Sequence, residues 1–180
     1  MPVLKVDDDV LFESNAIAEY LEETVEPALH PADPIKRARN RAWTDFVPDF
    51  SRQLGTVTYA KDAGALAEAM DKVPKTLTRL EAAIENEREN DGPYFNGDSL
   101  SLVDASYAPF LQRFSIAEQY IQSGLLKDFP YLQKWTDALV SNEVVENSVA
   151  PEFYDVFEDM LKRRGTLAAE NRDGGRAARV

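Results

Sequence analysis

Six apolar residues, Leu66, Met70, Val73, Leu77, Leu80 and Ile84, recur at steps of 4, 3, 4, 3 and 4. That spacing lines them up along one side of an α-helix. A stripe of this kind is stable only when other elements cover it, so a helical core is required. Pro74 lies beside the stripe and predicts a kink rather than an end. The helix finishes in the polar run 85–91, before Gly92-Pro93.

The covering partner starts at Ser101-Leu102-Val103-Asp104. The Ser101 hydroxyl can accept from the Asp104 backbone N–H, while the Asp104 carboxylate reaches back to the Ser101 N–H. This is a capping box with Asp in place of Glu or Gln. The carboxylate also suits the positive helix end, and Leu100 can pack on Ala105 as a weak staple. Val103, Tyr107, Phe110, Leu111 and Phe114 follow at helical spacing. A mostly buried helix is expected here, bent at Pro109, with the other helices around it. Losing either side chain of the box should cost roughly 0.5–2 kcal/mol.

More helices flank this pair. Asp33 is a good N-cap and Pro34 a good first residue for a helix running to about Tyr59, with Pro48 kinking or breaking it. Trp43, Phe46 and Tyr107 are large and read as core rather than as ligand contacts. Lys36, Arg37, Arg39 and Arg41 give the first half of that helix a basic face, read as solvated or interface-facing rather than phosphate-binding. Leu125–Leu139 holds a helix after Pro130, Val144-Val145 a short turn, and Glu152–Arg164 an amphipathic helix with Phe153, Val156, Phe157, Met160 and Leu161 inward. Residues 165–180, with three Gly, three Arg and no aromatics, read as a disordered tail.

The N-terminal stretch has a different period. Val3–Val6 and Val10–Phe12 read as a β-hairpin around an acidic turn, Asp7-Asp8-Asp9. Three Asp in a row could suggest a metal, but no other ligand cluster is near in sequence, so a solvated turn is expected. Glu13-Ser14 then opens a helix with Ala16, Ile17, Tyr20 and Leu21 on one face and Glu19, Glu22 and Glu23 on the other. Two strands and one helix cannot close a core alone. Pro27, Pro31 and Pro34 mark a linker. The organisation expected is residues 1–26 as one partial unit, 27–33 as linker, 34–164 as an all-helical domain and 165–180 as tail.

Composition narrows the chemistry. The 180 residues contain no Cys and one His, His30, which excludes disulfides, thiolate metal sites and a Cys nucleophile. No metal site is expected. The net charge of -12 disfavours nucleic acid; residues 1–30 hold eight acids and one Lys, so -7 of it sits there. No run reaches the length of a membrane span and no signal peptide opens the chain, so a cytoplasmic protein without a membrane partner is expected.

Taken in order, Met1-Pro2-Val3-Leu4, the acidic turn, Leu11-Phe12-Glu13-Ser14-Asn15-Ala16-Ile17, Tyr20-Leu21, the proline linker and the Ser101–Asp104 box resemble the cytosolic glutathione transferase family. Its pattern is Val-Pro-x-Leu, Glu-Ser-x-Ala-Ile, then a Ser/Thr-x-x-Asp box on the central helix of the second domain. The likeness spans residues 1 to about 161. Leu111-Gln112-Arg113 and Leu29-His30-Pro31 look closer to bacterial members, and no class is assigned.

The resemblance implies a mainly α fold: a remnant of a thioredoxin-like domain, made of hairpin and helix, followed by the family's all-α C-terminal domain. It implies glutathione as co-substrate with no other cofactor, a small electrophile as second substrate, and a homodimer. The glutathione-binding residues it implies are Met1, Pro2, Glu13 and Ser14. The proline matching Pro2 is cis in the family, aiming the preceding backbone at the cysteinyl part of the peptide. Glu13 would accept from the γ-glutamyl ammonium, and Ser14 with the helix end would hold its carboxylate.

The sequence departs from the family at the start. The strand–helix–strand unit that carries the thiol-activating Tyr, Ser or Cys has no counterpart, so no catalytic residue is assigned. Either the gene model starts late, with Met1 standing where the family has Val, or the chain is a truncated remnant. The first reading makes the full-length form a glutathione-dependent enzyme that is inactive as this chain. The second makes the chain a non-catalytic interaction or regulatory protein built on the helical domain.

Overall fold

The computed structural model describes residues 2–88 and 90–177. Two strands, β1 (Val3–Val6) and β2 (Asp9–Phe12), pair antiparallel with Val3 opposite Phe12 and Val6 opposite Asp9. Asp7, at φ 53°, makes the turn between them, a conformation that Asp tolerates better than most residues. Helix α1 (Ser14–Thr24) follows and packs on both strands. None of its residues is buried.

The rest is helical. The elements are α2 (Pro34–Thr58), α3 (Ala63–Asn86), α4 (Leu102–Ile121), a 3-10 turn (Leu125–Asp128), α5 (Pro130–Val140), α6 (Glu143–Glu146), α7 (Phe153–Arg163) and α8 (Leu167–Ala177). The apolar stripe of α3 does what its spacing requires: Val73, Leu77 and Leu80 are fully buried and Ile84 nearly so. They meet Phe50, Leu54 and Val57 from α2 and Val103, Tyr107 and Leu111 from α4 in one large core. Helix α4 also runs through a second cluster, where Ile116, Ala117 and Ile121 pack on Phe157, Leu161, Ala168 and Ala169. It therefore contributes buried residues to both cores, and Leu66 of α3 packs against both as well.

Asp104 explains why α4 starts where it does. The carboxylate is fully buried. Its Oδ2 accepts from the Ser101 N–H at 2.8 Å and the Ser101 hydroxyl at 2.5 Å, completing the reciprocal box. Its Oδ1 accepts from the Phe95 N–H at 2.9 Å and from Trp135 Nε1 at 2.6 Å. A box read as local therefore also ties down α5 and the loop before α4. That loop needs a glycine at 92, because a Cβ there would come within 2.3 Å of the Gly97 carbonyl carbon.

Two features differ from the sequence reading. Residues 167–177 are helix α8 rather than a disordered tail, while 178–180 lie outside the described residues. Ala168 and Ala169 drop into the second core, Thr166 Oγ1 donates to the Leu161 carbonyl, and the Leu167 N–H donates to the Ala60 carbonyl at 2.8 Å. Small residues anchor this helix, and they leave no apolar stripe to read. Val156, expected inward, is 57% exposed, and α7 buries Phe157 and Leu161 instead. As expected, α3 continues through Pro74 and α4 through Pro109, and α2 continues through Pro48 without breaking. The Pro48 and Pro109 rings are exposed, so neither crowds the core, and buried residues on both sides hold each helix together.

Candidate functional site

The hairpin register sets the site. With Val3 opposite Phe12, Pro2 and Glu13 flank the same end of the ladder, and Ser14 is the first residue of α1. The structure thus brings Pro2, Glu13 and Ser14 together at one edge, all exposed. Met1, and with it the peptide bond into Pro2, lies outside the described residues.

Glu13 stands at φ 70°, ψ 123°, which is costly for a residue with a Cβ. This twist lets the extended strand enter α1 with no intervening loop. Glu13 occupies the N-cap position, but its side chain accepts no capping bond and the first turn carries no acid. The other long helices are closed at this end. Asp33 accepts from the Ile35 and Lys36 N–H groups at 3.0 and 2.8 Å, Asp62 from Ala65 N–H at 2.8 Å, and α4 has its box. The first turn of α1 keeps its N–H donors for something else. Those donors, the Ser14 hydroxyl and the helix dipole suit a carboxylate, while the Glu13 carboxylate beside them suits an ammonium.

Polar contacts attach this edge to the helical domain. Asn15 Nδ2 donates to Asp45 Oδ1 of α2 at 3.0 Å. One turn on, Glu19 takes Arg41 of α2 on one oxygen and His30 Nε2 on the other, the latter at 3.1 Å. Glu22 accepts from the Leu29 and His30 N–H groups at 2.8 and 2.7 Å. Burial pushes the Glu19 carboxyl up, but hydrogen bonds and attraction from Arg41 and His30 outweigh it and leave it below its ordinary value. Sequence reading placed Glu19 and Glu22 on the face of α1 opposite its apolar residues; from there they hold the linker and α2. Their spacing of three, ahead of a chain with one His and a basic helix face, was the signal available. Beside Asp45, an open groove of about 640 Å³ is lined by Pro34, Ala38, Arg41 and Ala42.

The large aromatics of the helical domain serve packing. Tyr107 is fully buried and donates its hydroxyl to the Trp43 carbonyl at 2.9 Å, and burial pushes its ionisation far above that of a free phenol. Trp43 is 8% exposed, and Arg79 lies over the Phe46 ring at 4.7 Å. Among the described residues no three His, Asp or Glu could hold a metal ion, and no helix is long and apolar enough to cross a membrane.

Comparison with known proteins adds three findings. Residues 63–138 match the family model of the glutathione S-transferase C-terminal domain. The chain is 33% identical over 164 residues to "Glutathione S-transferase U16" of Arabidopsis thaliana, covering 88% of this chain and 69% of that protein. Among solved structures it resembles the Tau class glutathione S-transferase from mango, Mangifera indica, at TM-score 0.69 and 25% identity, covering 89% of this chain and 76% of the other. It also shares the fold of rice GST1, solved in complex with glutathione, at TM-score 0.69 and 23% identity, over 91% and 75% of the two chains.

Proposed function

The chain belongs to the glutathione S-transferase family, and from that premise we propose that Met1, Pro2, Glu13 and Ser14 receive glutathione. The observation that carries this is the start of α1, where an exposed Glu13 at positive φ precedes an uncapped helix end whose first residue is Ser14. Glutathione's γ-glutamyl end has one carboxylate and one ammonium side by side. The carboxylate meets the N–H groups and hydroxyl of Ser14; the ammonium meets Glu13. Pro2, across the ladder from them, lies where the cysteinyl part passes. The rice relative solved with glutathione supports the kind of ligand.

No residue of these 180 is matched to thiol activation, so the reading for this chain is glutathione binding with no catalytic residue assigned. The reading extends to a small electrophile as second substrate, a homodimer and a cytoplasmic location. It also keeps the domain division at 1–26, 27–33 and the helices from Pro34. The bacterial cast of Leu111-Gln112-Arg113 and Leu29-His30-Pro31 weighs less than the plant relative at 33% identity, and no class is assigned.

Calorimetric titration tests the site. Glutathione should bind, cysteinylglycine, which lacks the γ-glutamyl end, should not, and Ser14→Ala should weaken glutathione about tenfold, as for a hydrogen bond to a charged group. Equal binding of the two peptides, or an unchanged Ser14→Ala, overturns the reading. Binding of neither peptide favours the non-catalytic interaction protein.

A further inference from the structure

The turn before α4 holds Asn96-Gly97, the one place in the chain where an asparagine precedes a glycine. Glycine has no Cβ, so its nitrogen can approach the preceding side-chain amide more closely than that of other residues. Where the amide is unbonded, the turn has room and water has access, that nitrogen can attack it.

The turn meets each condition. Asn96 is exposed, and among the described residues its side chain makes no hydrogen bond. Gly97 stands at φ 132°, with open space where a Cβ would be. Its N–H meets the Tyr94 carbonyl only at 3.3 Å, beyond the usual range, and is weakly held. The other asparagines are guarded. Asn90 and Asn142 commit their amides to hydrogen bonds, four more lie in α1, α2, α3 and α8, and Asn147 precedes Ser148 rather than glycine.

We propose that Asn96 is a site of self-modification by deamidation. Gly97 N, its proton taken by a solvent base, attacks Asn96 Cγ, and ammonia leaves as a succinimide ring closes. Water opens that ring at either carbonyl, giving aspartate or isoaspartate; nothing is oxidised or reduced. The fold treats the two products differently. Aspartate leaves the backbone unchanged. Isoaspartate threads the main chain through the side chain and lengthens it by one carbon between 96 and 97. There the Gly97 carbonyl carbon already lies 2.3 Å from where a Gly92 Cβ would be, so the extra atom has no room. The turn must shift, and it carries Phe95 with it, whose N–H is held on the buried Asp104 and whose carbonyl is held by Asn90 Nδ2. Ageing at Asn96 thus loosens the start of α4. The proposal goes beyond glutathione binding and uses none of the residues of the α1 edge.

The test is to age the purified chain at mildly alkaline pH, map isoaspartate by peptide mass spectrometry and compare denaturant unfolding of aged and fresh protein. The Asn96 peptide should accumulate isoaspartate several-fold faster than the Asn147 peptide, and faster still as pH rises. The aged chain should unfold at a lower denaturant midpoint. Asn96→Gln, whose longer side chain closes the ring poorly, should age with neither change. Fresh Asn96→Asp should unfold like the parent. Isoaspartate forming no faster at 96 than at 147, an aged chain as stable as the fresh one, or a fresh Asn96→Asp as weak as the aged chain overturns the proposal.

Discussion

Helices α1 and α4 are both preceded by a serine or an acid at the N-cap, yet they begin in opposite ways. At α4 the Ser101 N–H, the Ser101 hydroxyl and the Asp104 N–H all find acceptors, and the Asp104 carboxylate has four donors of its own. At α1 the N-cap side chain makes no bond and the backbone is twisted to φ 70°. Burial follows the same division. The helical domain encloses two buried clusters and leaves only scattered apolar residues such as Ile35, Val144 and Val156 exposed, whereas the hairpin and α1 bury none: Val3, Val10 and Phe12 are each more than half exposed and Leu21 is 42% exposed. One region is organised to be stable by itself. The other leaves polar donors and apolar faces for contacts yet to be made, and it is joined to the first mainly by the polar contacts of Asn15, Glu19 and Glu22.

Asp104→Ala should widen this contrast most. It strands the buried Phe95 N–H and Trp135 Nε1–H, and at about 1–3 kcal/mol for each unmet donor the loss should reach about 3–5 kcal/mol, read by denaturant unfolding. Ser101→Ala, which removes only the cap, should cost about 0.5–2 kcal/mol. Equal losses would show that the carboxylate does no more than cap.

The same substitution placed in both regions comes next. Leu77→Ala, at a fully buried position, should cost about 2–5 kcal/mol. Leu21→Ala should stay below about 1 kcal/mol, since a partly exposed side chain gives up little on truncation. A large loss at Leu21 would mean that α1 is integral to the core after all.

Glu13→Gly is a smaller and more pointed change. Glycine takes positive φ without strain, so stability should hold or rise by about 1 kcal/mol while glutathione binding weakens. A loss of stability would remove strain as the reason for the Glu13 geometry.

The pH response should be smallest. The Glu19 carboxyl is held below its ordinary value in the folded protein, so its contribution is present at neutral pH and fades as pH falls through and below the usual glutamate range. The Arg41 Nε–H, which donates to Glu19 at 2.9 Å, should lose its fixed NMR signal there before the amides of α4 exchange faster. Simultaneous loss in both places would argue against a separate polar joint.

Much of this was legible in residues alone. The Leu66–Ile84 stripe, the Ser101–Asp104 box and the β-hairpin with its acidic turn stand where periodicity and capping chemistry put them, because each is written within a few neighbouring residues. Partners distant in sequence were not legible. Nothing near Asp104 announces Trp135, 31 residues on, and the basic face of α2 and the one His did not by themselves single out Arg41 and His30 as partners of Glu19. Helix α8 was hidden because Ala168 and Ala169 bury through their smallness and carry no pattern. The strain at Glu13 was invisible too, since φ is set by where the strand must meet the helix.

The placement of α8 also bears on synthesis. Chains are made from the N-terminus, and domains fold as they emerge. By the time α5 is complete, α2, α3, α4 and α5 can already enclose the larger core around Tyr107 and Trp135. Ile116, Ala117 and Ile121 must wait, because their cover comes from Phe157 and Leu161 and then from Ala168 and Ala169. Until those residues leave the ribosome, one flank of a finished helix stays sticky. A nascent chain stalled before Leu167 is therefore the species on which a chaperone would find a grip.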